Sequence, residues 1–364
     1  MKRALQAISL MVALSLLLVG CGGAASKPLK DTLLAAAMKT AGAGSYVMDA
    51  SFKIDKFDMT EGAIDSEELA VASEVAAVVK DAAIQAKAIY NKEAGRTDVD
   101  LQLVLPGFMN MSLNVPIIMN GDNIYFKAPQ IPFLPLPPEV TDKYIALDLK
   151  QLAEQAGEPM PSIDIAAQQK LAQEIATAAM KHFDDKKYFT DVKLADAGLP
   201  EQVKANKVVK FSLNDSNYEE TITVLLEKAL PEIIDIILKN EDYLTMIGIE
   251  KAELENVKQQ LTAEQAVIKA FFQNNLKINK VEVVSAIDKD YLVHQVTNFD
   301  VEIKDEESGE TIALALTASV NYTDVDKKPA FTQEIPTETV PFDQLLGGMM
   351  MDPSLFLEDE AVVE

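Results

Sequence analysis

Residues 84–127, IQAKAIYNKEAGRTDVDLQLVLPGFMNMSLNVPIIMNGDNIYFK, carry the pattern on which the fold turns. Apolar and polar side chains alternate through 84–91, 97–105, 110–119 and 123–127, the period of strands with one buried and one wet face. The links are short: Lys92-Glu93-Ala94-Gly95-Arg96, then Pro106-Gly107, then Asn120-Gly121-Asp122. A parallel crossover needs about a dozen residues, so these runs form an antiparallel meander. The Asn120-Gly121 pair between two alternating runs is a hairpin signal.

Working outward, 31–40 reads as a helix with Leu33, Leu34, Ala37 and Met38 on one side and Asp31 as its cap. Gly42 and Gly44 end it, and 46–57 alternates as a strand. The alanine- and valine-rich run 66–80 reads as a helix. Beyond the meander, 144–148 makes a brief strand or turn before helices over 150–156 and 162–183. Strands follow at 188–195 and 207–213, then long helices at 218–239, where Pro231 predicts a kink or break, and at 251–274. The chain closes with strands at 276–287, 291–303 and 312–322 and an edge strand at 330–335. No fixed short repeat occurs, which argues against solenoids and propellers. The proline cluster 129–138, PQIPFLPLPP, carries Ile131, Phe133, Leu134 and Leu136 and reads as a rigid extended crossing, not a domain linker. The expected class is α+β, a large curved antiparallel sheet (a half-barrel) with helices packed on its concave face. One such domain is expected over 31–343, followed by a Met-rich, acidic tail over 344–364.

Composition narrows the function. The hydrophobic share of 48% excludes wholesale disorder. A net charge of -24 argues against nucleic acid and against electrostatic docking on anionic headgroups. Trp is absent, and 14 methionines suit a plastic apolar interior or plain core filling. Cys21 is the only cysteine, so no intramolecular disulfide, cysteine-based metal site or redox pair is available.

The N-terminus places that cysteine. Lys2 and Arg3 precede the apolar stretch 8–19, a secretory signal layout too short for comfortable membrane crossing. Leu18-Val19-Gly20-Cys21 resembles the lipobox of bacterial lipoproteins. The resemblance implies a signal peptide over 1–20, cleavage between Gly20 and Cys21, and a thioether lipid on the Cys21 thiol. Gly20 has no Cβ to obstruct the peptidase, and two palmitate-type acyl chains anchor firmly where one binds marginally. The segment 21–30 is then a tether to the outer face of the cell membrane. An ordinary signal peptide with an unrelated cysteine, or an uncleaved anchor helix, are the competing readings.

The ensemble resembles the LolA/LppX-like half-barrel lipoproteins and lipoprotein carriers. The likeness rests on the lipobox, the helix before Ser45-Tyr46, the hairpin 120–127 and the Lys143-Tyr144-Ile145-Ala146-Leu147-Asp148 element. The chain is also similar to uncharacterised lipoproteins of Gram-positive bacilli, including the ending Asn321-Tyr322 with Ile335-Pro336. The resemblance implies an apolar cavity between sheet and helices that holds a lipid or amphiphile. A non-catalytic scaffold or sensor module binding protein or cell-wall partners is the alternative. A solute receptor of transporter type would need alternating βα units, which the hairpins oppose.

Little here suggests catalysis. His182 and His294 are the only histidines, so no two-histidine zinc motif can occur, and each reads as structural. There is no nucleophile elbow, phosphate loop or dinucleotide fingerprint. Asp184-Asp185, Asp288 with Asp290, and Asp324 with Asp326 read first as turn residues. Asp324 and Asp326 could together contribute to a calcium site but supply too few oxygens alone. No enzyme activity and no cofactor are expected.

Overall fold

A computed structural model describes residues 28–60, 79–131, 140–151, 165–214, 216–304, 309 and 311–342. Gly20, Cys21, the signal segment, most of the tether and the tail lie outside these residues. So do most of the helix expected at 66–80, the proline crossing from 132 onward, and the helix at 150–156 beyond its start.

The sheet is organised around its first strand. β1 (Ser45–Thr60) pairs on one side with β2 (Ala83–Asn91), from which β3 (Arg96–Leu105), β4 (Met111–Asn120), β5 (Asn123–Phe126) and β6 (Tyr144–Asp148) extend as a meander. On its other side it pairs with β11 (Thr311–Thr323), which leads through β10 (Tyr291–Lys304), β9 (Leu276–Asp288) and β8 (Lys207–Leu213) to β7 (Phe189–Val192). The short β12 (Thr339–Pro341) joins the far edge beside β6, the one parallel pairing among the twelve strands. The hairpin read at Asn120-Gly121 is present, with its turn one residue further on. Asn120 pairs with Asn123, and Gly121 alone takes positive φ (+59°), so the central residues are Gly121-Asp122. Gly is the residue that reaches this conformation without a Cβ penalty.

Helices cover one face: α1 (Leu29–Ala41), α2 (Ile165–Lys181), the short α3 (Asp185–Tyr188), α4 (Tyr218–Val224), α5 (Leu230–Leu238), α6 (Glu241–Ile247) and α7 (Lys251–Asn275). The result is the expected α+β fold, a large curved and mostly antiparallel open sheet with helices on its concave side. Alternation explains the packing. Leu33 and Leu34 of α1, with Met180 and Phe183, meet Val209, Phe211, Val283, Ile287 and Leu292 of the sheet. Ile222, Leu226 and Phe272 meet Phe299, Val301, Ile303, Leu314 and Leu316. A third cluster joins helix to helix through Leu171, Ile233, Ile237, Tyr243 and Leu254. The buried sheet residues named here fall on β8–β11, with Phe189 of β7 in the first cluster and Phe52, Ile54, Phe57 and Met59 of β1 packed against the second, so the helices shield that side of the concave face and the later part of β1.

Several local expectations need correction. Asp31 does not cap α1; it sits in the first turn, and Pro28 is the flanking residue. The Lys30 backbone N–H is satisfied by Asp185 Oδ1 at 2.8 Å, from α3. The strand read at 188–195 splits into the end of α3, the four-residue β7 and a 3-10 turn at Leu194–Asp196. Asp184 caps α3 by accepting from the Lys186 and Lys187 backbone N–H groups, which diverts the chain from an extended path. The edge strand expected at 330–335 is irregular; the strand lies later, at β12. The break expected at Pro231 falls just ahead of it: α4 ends at Val224, and Pro231 stands in the first turn of α5. A wide π turn over Leu225–Ala229 precedes α5, and Gln265 Nε2 of α7 donates to the Leu226 carbonyl at 3.0 Å. Pro231 has no N–H to give that carbonyl, so a neighbouring helix supplies the donor.

Candidate functional site

Two in-register rows cross β2, β1, β11 and β10 on the concave face. The first is Ala86, Ala50, Val320, Gln295; the second is Ile84, Phe52, Ala318, Thr297. Together with Ser51 and Ser319, these eight residues line an open cleft of about 340 Å³. Its shape follows from side-chain volume. Further along the same face, Leu314, Leu316, Phe299 and Val301 reach up to the helices and fill the space. At the cleft the corresponding positions are alanine on three strands, and no helix residue lines it. Ile84 is left 44% exposed although it points to the concave side.

The cleft has an apolar body and one polar end. Gln295 and Thr297 are buried, and Ser285 Oγ donates to Gln295 Oε1 at 3.2 Å, which fixes the carboxamide at the rim. None of the ten lining residues is an acid or a base, and Ser51 and Ser319 have no such group among them to activate a hydroxyl. Four residues along β1 and β2 from Ala50 and Ala86, Tyr46 lies 5.1 Å from Tyr90 and 5.5 Å from Tyr322 between ring centroids. Burial, then the neighbouring Tyr322 and Tyr90 phenols, push the Tyr46 hydroxyl up to about 12. That end of the concave face is a half-buried aromatic wall.

The opposite face of the sheet is polar and is crossed by two segments. The segment after β11 runs over β3: Phe331 stacks on Arg96 at 4.2 Å, and Gln333 bonds Asp100 and Tyr144. Beneath it Arg96 grips the buried Asp98 through two hydrogen bonds of 2.7 and 2.9 Å. The segment between β7 and β8 crosses β10 and covers His294, only 5% exposed.

The sequence candidates fare differently. Gly20 and Cys21 lie outside the described residues. His182 closes the end of α2 by pairing its Nε2 with Glu232 Oε2 at 2.7 Å, and Lys181 joins the same carboxylate. His294 is on β10, on another element and with no shared partner. Asp326 accepts from Tyr291 Oη at 2.6 Å and from the Gly44 N–H at 2.7 Å, while Asp324 pairs with Lys327. Asp326 therefore ties the post-β11 turn to β10 and to the residue before β1, while Asp324 closes the turn itself, and both aspartates take positive φ. Among the described residues no group of three or more His, Cys, Asp or Glu could hold a metal ion, and no helix is long and apolar enough to cross a membrane. The cleft residues were not singled out from sequence. The available signal was alanine at alternating positions of apolar strands, as in Ala86 and Ala88, where Val or Ile would suit a filled core.

The fold and cleft thus define a curved-sheet α+β protein with an open apolar recess. No family model matches the chain, and no curated protein matches it. Among solved structures it is similar to a β-barrel-like protein of a domain of unknown function, DUF1849, from Brucella abortus. That likeness has 7% identity and a TM-score of 0.16 and covers 78% of this chain and 99% of the other.

Proposed function

We propose that this chain is a lipid-anchored protein of the outer face of the cell membrane that holds a lipid or other hydrophobic ligand in the concave-face cleft. The anchor is acylated Cys21, freed by cleavage after Gly20, as the lipobox resemblance implies. The protein does no chemistry on its ligand. The observation that carries the binding reading is the alanine-floored cleft of about 340 Å³, bounded by Phe52, Ile84 and Val320. That volume is at the small end of ligand sites, roughly 300–1,000 Å³, and suits one apolar chain better than a bulky multi-chain lipid. A polar terminus of such a ligand would meet Gln295 and Thr297. The acidic surface, with net charge -24, opposes docking on anionic headgroups, so the apolar contact has to carry the affinity.

Two measurements test this. Protein purified from membranes is extracted and its bound lipids read by mass spectrometry, while the stripped protein is titrated with the neutral fluorophore N-phenylnaphthylamine. Uptake by the wild type and at least about tenfold weaker uptake by Ala86→Phe is the expected pair, since a ring there fills the recess. No extracted lipid and no probe uptake would end the binding reading and favour a scaffold or sensor module. The anchor is tested separately: Cys21→Ala should leave the membrane fraction.

A further inference from the structure

His294 presents a physical problem that the binding cleft does not use. It lies on the convex, polar face of β10, 5% exposed, and neither ring nitrogen has a hydrogen-bond partner among the described residues. A buried donor or acceptor left unpaired costs about 1–3 kcal/mol, so such a group calls for an explanation. What covers it is the segment 193–205. That segment contains a 3-10 turn and Gly198 at positive φ, and its backbone hydrogen bonds are short-range: Asp196 to Lys193, Ala197 to Leu194, Val203 to Pro200. Among the described residues no backbone hydrogen bond ties 197–203 to the sheet, and none of 193–205 is fully buried.

Two polar cavities flank His294, and it lines both. One, of about 330 Å³, is walled by Asp196, Ala197, Gly198 and Leu199 of the segment and by Lys210 and Glu282 of the sheet. The other, of about 600 Å³, is walled by Pro200 and Gln202 and floored by Asp49, Lys87 and Asp100. The segment and the imidazole together form the partition between them. We propose that residues 193–205 are a pH-gated flap: protonation of His294 lifts the flap and merges the two cavities into one polar groove on the convex face.

The surroundings decide the direction. The charged groups facing this site are Asp196 from the flap, Lys210 from β8, Lys280 and Glu282 from β9, Asp49 from β1, Lys87 from β2 and Asp100 from β3. Glu282 is already engaged by Lys210 at 3.2 Å and Lys280 at 3.3 Å. No carboxylate lies within 4.0 Å of His294 among the described residues. An imidazolium under the closed flap is therefore desolvated and unpaired, with only the nearby Val320 carbonyl favouring it. Burial accordingly holds the ring below its ordinary value. With the flap open the ring is hydrated and titrates near 6.5. The closed state binds fewer protons, so it is fully favoured above about pH 6.5 and loses ground as the pH falls below that.

Hydrogen exchange on the full chain reads the flap directly. Between pH 7.5 and 5.5, exchange over 197–203, corrected for intrinsic rates, should rise about tenfold, the limit for one proton across that window. His294→Leu and His294→Gln should each abolish the rise. Ring resonances offer a check that needs no variant, because His182 is the only other histidine. The His294 signal should titrate below the ordinary range, in step with flap exchange. An unchanged flap, a rise that spreads over all of β8–β11, or a rise that survives both substitutions would each overturn the proposal.

Discussion

The two halves of the concave face follow one rule and reach different ends. Across β8–β11, concave-side positions carry Phe211, Val283, Phe299, Val301 and Leu316, and these meet helix side chains in closed clusters. Across β1 and β2 the later part of β1 still meets the closed cluster through Ile54, Phe57 and Met59, but nearer its start the same alternation puts Ala50, Ala86 and Ala88 on that side, with Ala318 at the border on β11. Period alone sets which residues point inward, while their volume sets whether the space closes. Where long side chains meet a helix the interior reaches crystal-like density; where methyl groups floor the sheet, a recess remains.

The largest test of this contrast is Phe299→Ala. The ring is 2% exposed and central to the closed cluster, so its removal should cost about 3–5 kcal/mol, read by urea denaturation. A loss near zero would mean that the covered half is loose, and the contrast would collapse. Ala318→Leu asks the reverse question next door. It adds volume where the recess is, so stability should shift by no more than about 1 kcal/mol while probe uptake falls. A penalty like that of overpacking a core would show that the cleft is already full.

Much of this was readable from the residues. Tyr144–Asp148 and Lys207–Leu213 have the strand limits expected from their alternation, and the Asn-Gly signal found its hairpin. Local pattern is enough there, because period and turn chemistry are short-range. Register is not short-range. Ala50, Ala86 and Ala318 come from three distant stretches and meet only because β1 pairs with both β2 and β11. Nothing near Ala318 announces that its neighbours are also small. The convex face shows the same limit: His294 sits in an ordinary alternating strand, and the flap that buries it lies about ninety residues earlier in an irregular segment. The run 188–195 misled because Asp184 caps a helical turn just ahead of it, a side-chain effect that overrode the apolar pattern.

The smallest expected effect appears only in alkali and sharpens the boundary between the halves. Tyr46 stands on the open half, but its contact Tyr322 packs against the helix-covered cluster. Burial comes first among the causes that push its phenol up to about 12, although Tyr46 and Tyr322 are only half-buried, so this end of the face lies between the packed and the open half. A phenol with a raised value stays neutral in the fold. Its contribution is complete below the unfolded value near 10 and is lost as the pH rises from there through about 12. Ultraviolet titration should therefore show a late-ionising group of tyrosines, since Tyr90, Tyr188 and Tyr322 are also raised by burial, and Tyr46→Phe should remove one member of it. The same variant should flatten the fall in stability above about pH 10 and leave neutral-pH stability nearly unchanged. If Tyr46 instead ionises with the exposed tyrosines, water reaches the aromatic wall. The recess would then extend along β1 from Ala50 to Tyr46, and the border between the packed and open halves would lie at β11.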